Sequence, residues 1–334
     1  MDYSFVIPSN RPYHAIEPLL LSIKGQTQTA KEIIIVRDYA SSIDEWKDYQ
    51  SHIEELFDQT DISVTIINPH NDSNFHVGKG ASYVRNYGRK NVQTPYMIFV
   101  DDDNTFERDF GEKLATQRKK HPDAIIVPTQ YQWRSHEIRA NVVADGFSYR
   151  MCRPKRITTE EIERMKEWKD ERLLSNSNSL SLNPSISHSL IPLTLASSNC
   201  LSWPTKIFSQ YPFDESIPFI YEDMIMTWQM STHGVEIFLD TDIPIYHHHG
   251  MRSRAANLYI DTPRKAYYKG KHRILLVHTL GNIRQKILFW TIGIRGHTTW
   301  LAVVIVFSCP IHIWLWCISS VIKGTRDGIQ AVRR

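Results

Sequence analysis

Short apolar runs alternate with polar, helix-period stretches through the first part of the chain. Ser4-Phe5-Val6-Ile7 ends at Pro8 and reads as a buried strand. Ile16, Leu19, Leu20 and Ile23 recur at three- and four-residue intervals, which predicts a helix over 15–26. Glu32-Ile33-Ile34-Ile35-Val36 is a β-branched strand, and a polar helix over 43–58 leads to a third strand over 62–67. After Gly78-Lys79-Gly80, a helix over 81–90 precedes the strand Tyr96-Met97-Ile98-Phe99-Val100, and Ala124-Ile125-Ile126-Val127-Pro128 reads as another. Strands alternating with helices imply βαβ units, hence an α/β fold with a mostly parallel sheet flanked by helices.

The second part is less regular. A charged amphipathic helix is expected over 158–173, capped by Thr158 or Thr159. Residues 175–189 are rich in Ser and Asn and read as a loop long enough to serve as a lid or substrate contact. Met224 to His233 has a helical pattern, and Ile243-Pro244-Ile245-Tyr246 is strand-like. There is no internal repeat.

The 334 residues suit one large domain, or a domain with an appendage. The hydrophobic fraction of 42% and charged fraction of 22% belong to a globular chain, and a net charge of +3 is too small to suggest a nucleic-acid partner. The 4 cysteines show no Cys-x-x-Cys spacing, so a reduced, cytosolic setting is expected. Met1-Asp2-Tyr3 runs straight into a strand, which reads as no secretory signal. From Thr299 to Ile322 the only strongly polar residue is His312 in a run rich in Trp, Ile, Val and Leu, with basic residues on both flanks and Pro310 in the middle. The length fits a bilayer crossing, but both basic flanks stay inside if the segment is re-entrant or interfacial; a buried soluble helix is the third reading.

Three features carry chemistry. Asp101-Asp102-Asp103 follows the fourth strand, at the strand end where open α/β sheets place ligands. Three adjacent carboxylates repel unless a cation neutralises them, and hard oxygen donors suit Mg²⁺ or Mn²⁺ carrying a diphosphate; an acidic turn in water is the plain alternative. Tyr221-Glu222-Asp223, preceded by Phe213-Asp214, places two carboxylates at a helix start. They serve there either as caps or as a general base. In His247-His248-His249, the first and third can share one strand face and join a Mn²⁺-type ligand set. No P-loop, zincin or dinucleotide glycine fingerprint is present.

In their order along residues 1 to 250, these features resemble the family 2 glycosyltransferases of GT-A fold, which implies a Rossmann-like, mixed but mostly parallel sheet flanked by helices. Phe5 to Arg11 is similar to that family's first strand and nucleotide loop, and Glu32 to Asp38 to its second strand, with Arg37 in place of one of two acids. Arg85-Asn86-Tyr87-Gly88 resembles its Ala-Arg-Asn-x-Gly helix, with Val84 replacing the alanine. Asp101-Asp102-Asp103 matches its Asp-x-Asp motif, and Phe213-Asp214 with Tyr221-Glu222-Asp223 its acceptor-side motif. The tail, with Lys271-His272-Arg273, looks like that of membrane-associated members that build bacterial surface glycans.

The resemblance implies an inverting, metal-dependent transfer from a nucleotide-diphosphate sugar to a hydroxyl of a glycan or lipid-linked acceptor, at the cytoplasmic face of a membrane. It assigns Asp103 to Mn²⁺ or Mg²⁺, with Asp101, His247 and His249 as further ligands. Pro8, Ser9, Asn10, Arg11, Asp38, Arg85, Asp101 and Asp102 fall to the nucleotide sugar. Asp223 is the base, with Glu222 as alternate, in a setting expected to raise the carboxyl's pKa. Asp102 is the most dispensable of the triplet. Residues 1–265 form the catalytic domain (1–105 the nucleotide-sugar half, 106–265 the acceptor half), and 266–334 a helical membrane-associating region. The competing classes are a membrane-attached, non-catalytic binding protein and a metal-dependent nucleotidyltransferase.

Overall fold

The computed structural model describes residues 1–37, 42–69, 79–132, 138–139, 190–193, 195–196, 200–248, 263–280 and 314–333. Four strands, β1 (Tyr3–Pro8), β2 (Glu32–Val36), β3 (Ser63–Ile67) and β4 (Tyr96–Val100), pair in parallel in the order β3-β2-β1-β4. Helices α1 (Tyr13–Lys24), α2 (Ile43–Phe57) and α3 (Ala81–Arg89) make the crossovers. α1 buries Ile16, Leu19, Leu20 and Ile23, the stripe its periodicity predicts. α2 opens on Ser42, whose side chain accepts from the Glu45 amide. α3 lies unusually close to the sheet: a Cβ on Gly88 would sit 2.6 Å from Val6 Cγ1 and 2.9 Å from Val36 Cγ2. Only glycine allows that approach, which brings the rest of α3 to the strand ends.

The second part departs from the expected mostly parallel sheet. After β5 (Asn104–Phe106) and α4 (Phe110–Lys120) come β6 (Ile125–Gln132), β7 (Ile138–Arg139), β8 (Leu190–Leu193) and β9 (Cys200–Pro204). α5 (Thr205–Gln210), α6 (Glu222–Thr232) and β10 (Ile237–His247) follow. β9 lies antiparallel between β4 and β6, and β10 runs parallel to β6 but antiparallel to β5 and β8. Among the described residues the parallel arrangement is thus confined to β3-β2-β1-β4 and the β6–β10 pair. Antiparallel neighbours need no crossover helix, so the strand-helix alternation that signals parallel pairing does not mark them in the sequence. A register shift between Asp240 and Pro244 lets β10 pair with β8 through its first half and β5 through its second, so its end, His247, lands beside Asn104.

Two large clusters form the core. One joins Phe5, Ile7, Leu20, Ile98, Phe106 and Phe110 on one face of the sheet; the other joins Phe99, Leu201, Trp203, Phe208 and Phe213 on the opposite face. Trp203 is fully buried edge-on to Phe99, so it is a core residue; Trp133 lies outside the described residues. Further on, α7 (Pro263–Leu280) packs along α8 (Trp314–Arg333). Three glycines make this contact close: Gly270 meets Val321 and Thr325, Gly324 meets the Tyr267 backbone, and Gly328 meets Lys271 and Ile274. Among the described residues no helix is long and apolar enough to cross a membrane. The predicted helix over 158–173, the loop over 175–189 and most of the apolar run over 299–322 lie outside them.

Candidate active site

The acidic triplet begins as β4 ends, and each of its side chains is engaged differently. Ser9, in the loop after β1, donates from Oγ to Asp102 Oδ2 at 2.6 Å, and its Oγ also accepts from the Arg11 amide. Arg11 reaches Asp102 Oδ1 at 3.2 Å and Asp103 Oδ2 at 2.9 Å. Asp102 is therefore an anchor for the β1 loop, contrary to the expectation that it is the dispensable member. Asn10 points to solvent, and Pro8 is half-buried. Asp38 and His249 lie outside the described residues.

Asp103 turns its other oxygen towards the end of β10, where His247 Nε2 lies 3.2 Å from Oδ1. The Asp103 carbonyl accepts from the His248 amide at 2.7 Å, and His248 Nε2 lies 2.7 Å from Thr105 Oγ1. Burial and the neighbouring His247 push the His248 pKa down. His248, which the alternation along the strand does not mark as a ligand, ties the two strand ends together, while His247 faces the carboxylate.

Arg85, buried on α3, spans the remaining distance. Its Nη2 lies 2.9 Å from Asp101 Oδ1 and its Nη1 2.8 Å from Glu222 Oε1. Two carboxylates that are 121 positions apart in sequence are thus held by one planar guanidinium. Burial pushes Asp101 up to about 7, with Asp103 and Asp102 adding repulsion and Arg85 opposing. Glu222 is likewise pushed up to about 7, by burial first and Asp223 second, again against Arg85. The buried carboxyl with the raised pKa is therefore Glu222. Asp223 is only half-buried at the start of α6, with Oδ1 accepting from the Met224 amide at 2.8 Å.

The neighbouring motif residues have separate tasks. Asn86 Nδ2 donates to the Phe213 carbonyl at 2.9 Å, while Asn86 Oδ1 accepts from the Phe213 amide at 2.9 Å. This clamps Phe213-Asp214 as a strand partner would. In Arg85-Asn86-Tyr87-Gly88, then, Arg85 bridges carboxylates, Asn86 holds the Phe213-Asp214 segment, and Gly88 permits close packing on the sheet.

The residues present fit a divalent cation. Asp103 and His247 are both buried and offer oxygen and imidazole nitrogen, a donor pair suited to Mn²⁺ and, through the oxygen, to Mg²⁺. Among the described residues no group of three or more His, Cys, Asp or Glu side chains is arranged to hold an ion alone. A diphosphate would bring the missing oxygen ligands.

Residues 4–169 match the model of glycosyl transferase family 2. Over this part the chain is a glycosyl transferase family 2 domain. A Haemophilus influenzae protein described as an uncharacterized glycosyltransferase is 26% identical over 161 residues, which are 48% of this chain and 47% of the relative. The chain thus aligns with about half the length of that curated relative. Among solved structures, S. aureus TarS 1-349 in complex with UDP-GlcNAc superposes with a TM-score of 0.51 at 13% identity, covering 100% of this chain and 92% of TarS 1-349. GalNAc-T7 with UDP, GalNAc and Mn²⁺ gives a TM-score of 0.55 at 13% identity, covering 92% of this chain and 57% of the other. At that identity the likeness is one of fold. The family 2 match covers β1 through the triplet, including Ser9, Arg11, Arg85 and Asp101 to Asp103; Glu222, Asp223 and His247 lie beyond it.

Proposed function

We propose that this family 2 protein transfers a sugar from a nucleoside-diphosphate sugar to a hydroxyl of a glycan or lipid-linked acceptor, inverting the anomeric carbon. The observation that carries the reading is the Arg85 bridge. It joins a group suited to a divalent cation carrying a diphosphate, Asp101 to Asp103, to an acceptor-side carboxylate pair, Glu222 and Asp223. The donor class named for the two solved neighbours, UDP and UDP-GlcNAc, supports the same direction.

Asp103 and His247 would hold Mn²⁺ or Mg²⁺, with Asp101 nearby. When bound, the ion supplies neutralisation of the diphosphate charge, which makes it a competent leaving group. Ser9 and Arg11 shape the donor side, with Asn10 and Asp38 as contacts for the nucleoside. Arg85 holds Asp101 and Glu222 in register, so the two reactants meet in a fixed orientation. Asp223 takes the proton of the acceptor hydroxyl as its oxygen bonds to the anomeric carbon, and the bond from that carbon to the phosphate oxygen breaks. A single displacement of this kind inverts the centre.

A membrane-surface location at the cytoplasmic face, and a role in surface-polysaccharide synthesis, belong to the same proposal. On α8, Leu315, Trp316 and Ile322 are 80%, 69% and 57% exposed, beside exposed Lys323 and Arg326. Apolar side chains next to cations suit an interfacial helix on anionic lipid.

The test is a panel of UDP-, GDP- and TDP-sugars with Mn²⁺, with and without EDTA, scored for thermal stabilisation and for released product. Nucleoside diphosphate released in the Mn²⁺ arm and lost with EDTA is expected. In a parallel arm with the nucleoside triphosphates and sugar 1-phosphates, pyrophosphate release would identify a nucleotidyltransferase, and absence of binding and turnover in both arms would leave a non-catalytic protein.

A further inference from the structure

The two carboxylates at the start of α6 are aimed by an uncommon piece of backbone. Ile220 and Tyr221 both have left-handed conformations, with φ of 65° and 72°. For a β-branched residue such as Ile220 this is costly, and a consecutive pair persists only where the surroundings hold it. Tyr221 is also the N-cap of α6 and caps it with no side-chain hydrogen bond, so the direction of Glu222 and Asp223 follows from this turn.

Two elements grip the turn from opposite sides. The start of α3 holds its leading edge. The Ser82 amide donates to the Pro218 carbonyl at 3.2 Å, Ser82 Oγ donates to the Ile217 carbonyl, and a Cβ on Gly80 would lie 2.6 Å from Pro218 Cβ. The other grip comes from α7, through Arg264, Tyr268 and His272, which lie four residues apart on one helix stripe. Arg264 sits over the Phe219 ring at 5.5 Å, and Tyr268 meets it edge-on at 4.5 Å. His272, fully buried, places Nδ1 2.8 Å from the Phe219 carbonyl and 3.2 Å from the Ile220 carbonyl. Both partners are acceptors, so Nδ1 carries the proton. Among the described residues Nε2 has no hydrogen-bond partner. Burial pushes the His272 pKa down to about 4, which keeps the ring neutral.

We propose that His272 is a positioning residue for sugar transfer: its Nδ1–H, shared by the Phe219 and Ile220 carbonyls, holds the left-handed turn that aims Glu222 and Asp223. The proposal rests on reading that pair as the acceptor side of the reaction. It explains a buried histidine whose hydrogen bonds among the described residues go to backbone carbonyls, and it gives α7 a part in positioning the site.

The experiment uses the full chain with His272→Ala, His272→Asn, His272→Gln and the double variant Ile220→Gly/His272→Ala. The readouts are amide hydrogen exchange over 217–225 and nucleoside-diphosphate release from the sugar panel with Mn²⁺. In His272→Ala, exchange over the turn should rise at least about tenfold, the mark of a locally opened segment. The same variant should lose kcat by about a hundredfold, the scale of a misplacement near 1 Å. Its donor KM should stay within about twofold, since ground-state donor binding is untouched. Asparagine sets an amide nitrogen where Nδ1 was and should restore activity, whereas glutamine carries its amide one bond further out and should not. Glycine at 220 adopts positive φ freely and should recover part of the loss in the double variant.

Wild-type exchange in His272→Ala, equal behaviour of the Asn and Gln variants, or no recovery with Ile220→Gly would each overturn the proposal. Should His272→Ala fail to fold, the Asn and Gln pair still decides. Should the wild type release no nucleoside diphosphate from any donor, the transferase reading fails, while the exchange data still decide the turn.

Discussion

Replacing Arg85 with methionine tests the bridge most directly, because methionine keeps the length of the side chain and removes both contacts. Glu222 is 8% exposed and Asp101 30%, so each loses a partner that solvent replaces poorly. Leaving a buried carboxylate unpaired costs about 3–5 kcal/mol. That figure holds only while the carboxylates are ionised, which makes the effect depend on pH. With Arg85 present, both groups already sit at about 7, above their ordinary values of 3.8 and 4.5. Between those values and about 7 the folded state binds more protons than the unfolded state, so stability falls as pH rises through the window. Removing Arg85 lifts both folded values further. At pH 5 the carboxyls are protonated with or without the arginine, and the variant loses only ordinary hydrogen bonds, about 1–2 kcal/mol in total. At pH 8 the larger cost applies. Urea unfolding followed by tryptophan fluorescence, with buried Trp203 among the reporters, should show the larger midpoint shift at pH 8. A shift equal at both pH values, or larger at pH 5, would refute the argument.

Other substitutions separate the remaining roles. Asp103→Ala should lower Mn²⁺-dependent kcat by about 10²–10³-fold, as expected when stabilisation of a leaving charge is lost. Asp102→Ala should instead raise donor KM about tenfold by freeing Ser9 and Arg11, with kcat nearly unchanged; matching kinetics for the two variants would contradict the division. Asp223→Asn should lower kcat by about 10²–10⁴-fold, the usual contribution of a general base, with the unfolding midpoint unmoved. Turnover that survives this change removes Asp223 from the mechanism. Gly328→Val would bring a side chain within 2.7 Å of the Lys271 carbonyl and 2.9 Å of Ile274 Cβ. Overpacking there should destabilise the α7–α8 pair by about 1–3 kcal/mol, read as a lower thermal midpoint.

The parallel half of the fold was legible because β1, β2 and β4 centre on apolar runs, β3 is β-branched, and the helices are amphipathic or capped. Cys200–Pro204 was not. It is five residues long, contains Ser202 and Pro204, and is a strand because β4 and β6 lie on either side, which is a long-range fact. Asn104–Phe106 is shorter still, and α4 buries little beyond Phe110, Leu114 and Arg118 on an otherwise charged surface. At the site, the residues themselves could be named from sequence: Ser9, Arg11, Arg85, the triplet, Glu222 and His247 do gather. Their pairings could not, since Arg85 with Glu222 and Ser9 with Asp102 are set by how α3 and the β1 loop meet the strand ends. His272 was visible only as one member of a basic triplet in the tail; the carbonyls that give it a task are over fifty positions away.

The antiparallel strand between β4 and β6 has a consequence for how the protein is made. Val100 pairs with Cys200, so the edge of β4 waits for a partner encoded about a hundred residues later, roughly 5–20 s of synthesis at ordinary elongation rates. Through that interval the newborn chain carries an open, apolar strand edge able to template pairing with another molecule. Expression yield should therefore respond to chaperone supply and translation speed over residues 100 to 200, even in variants whose finished fold is as stable as the wild type.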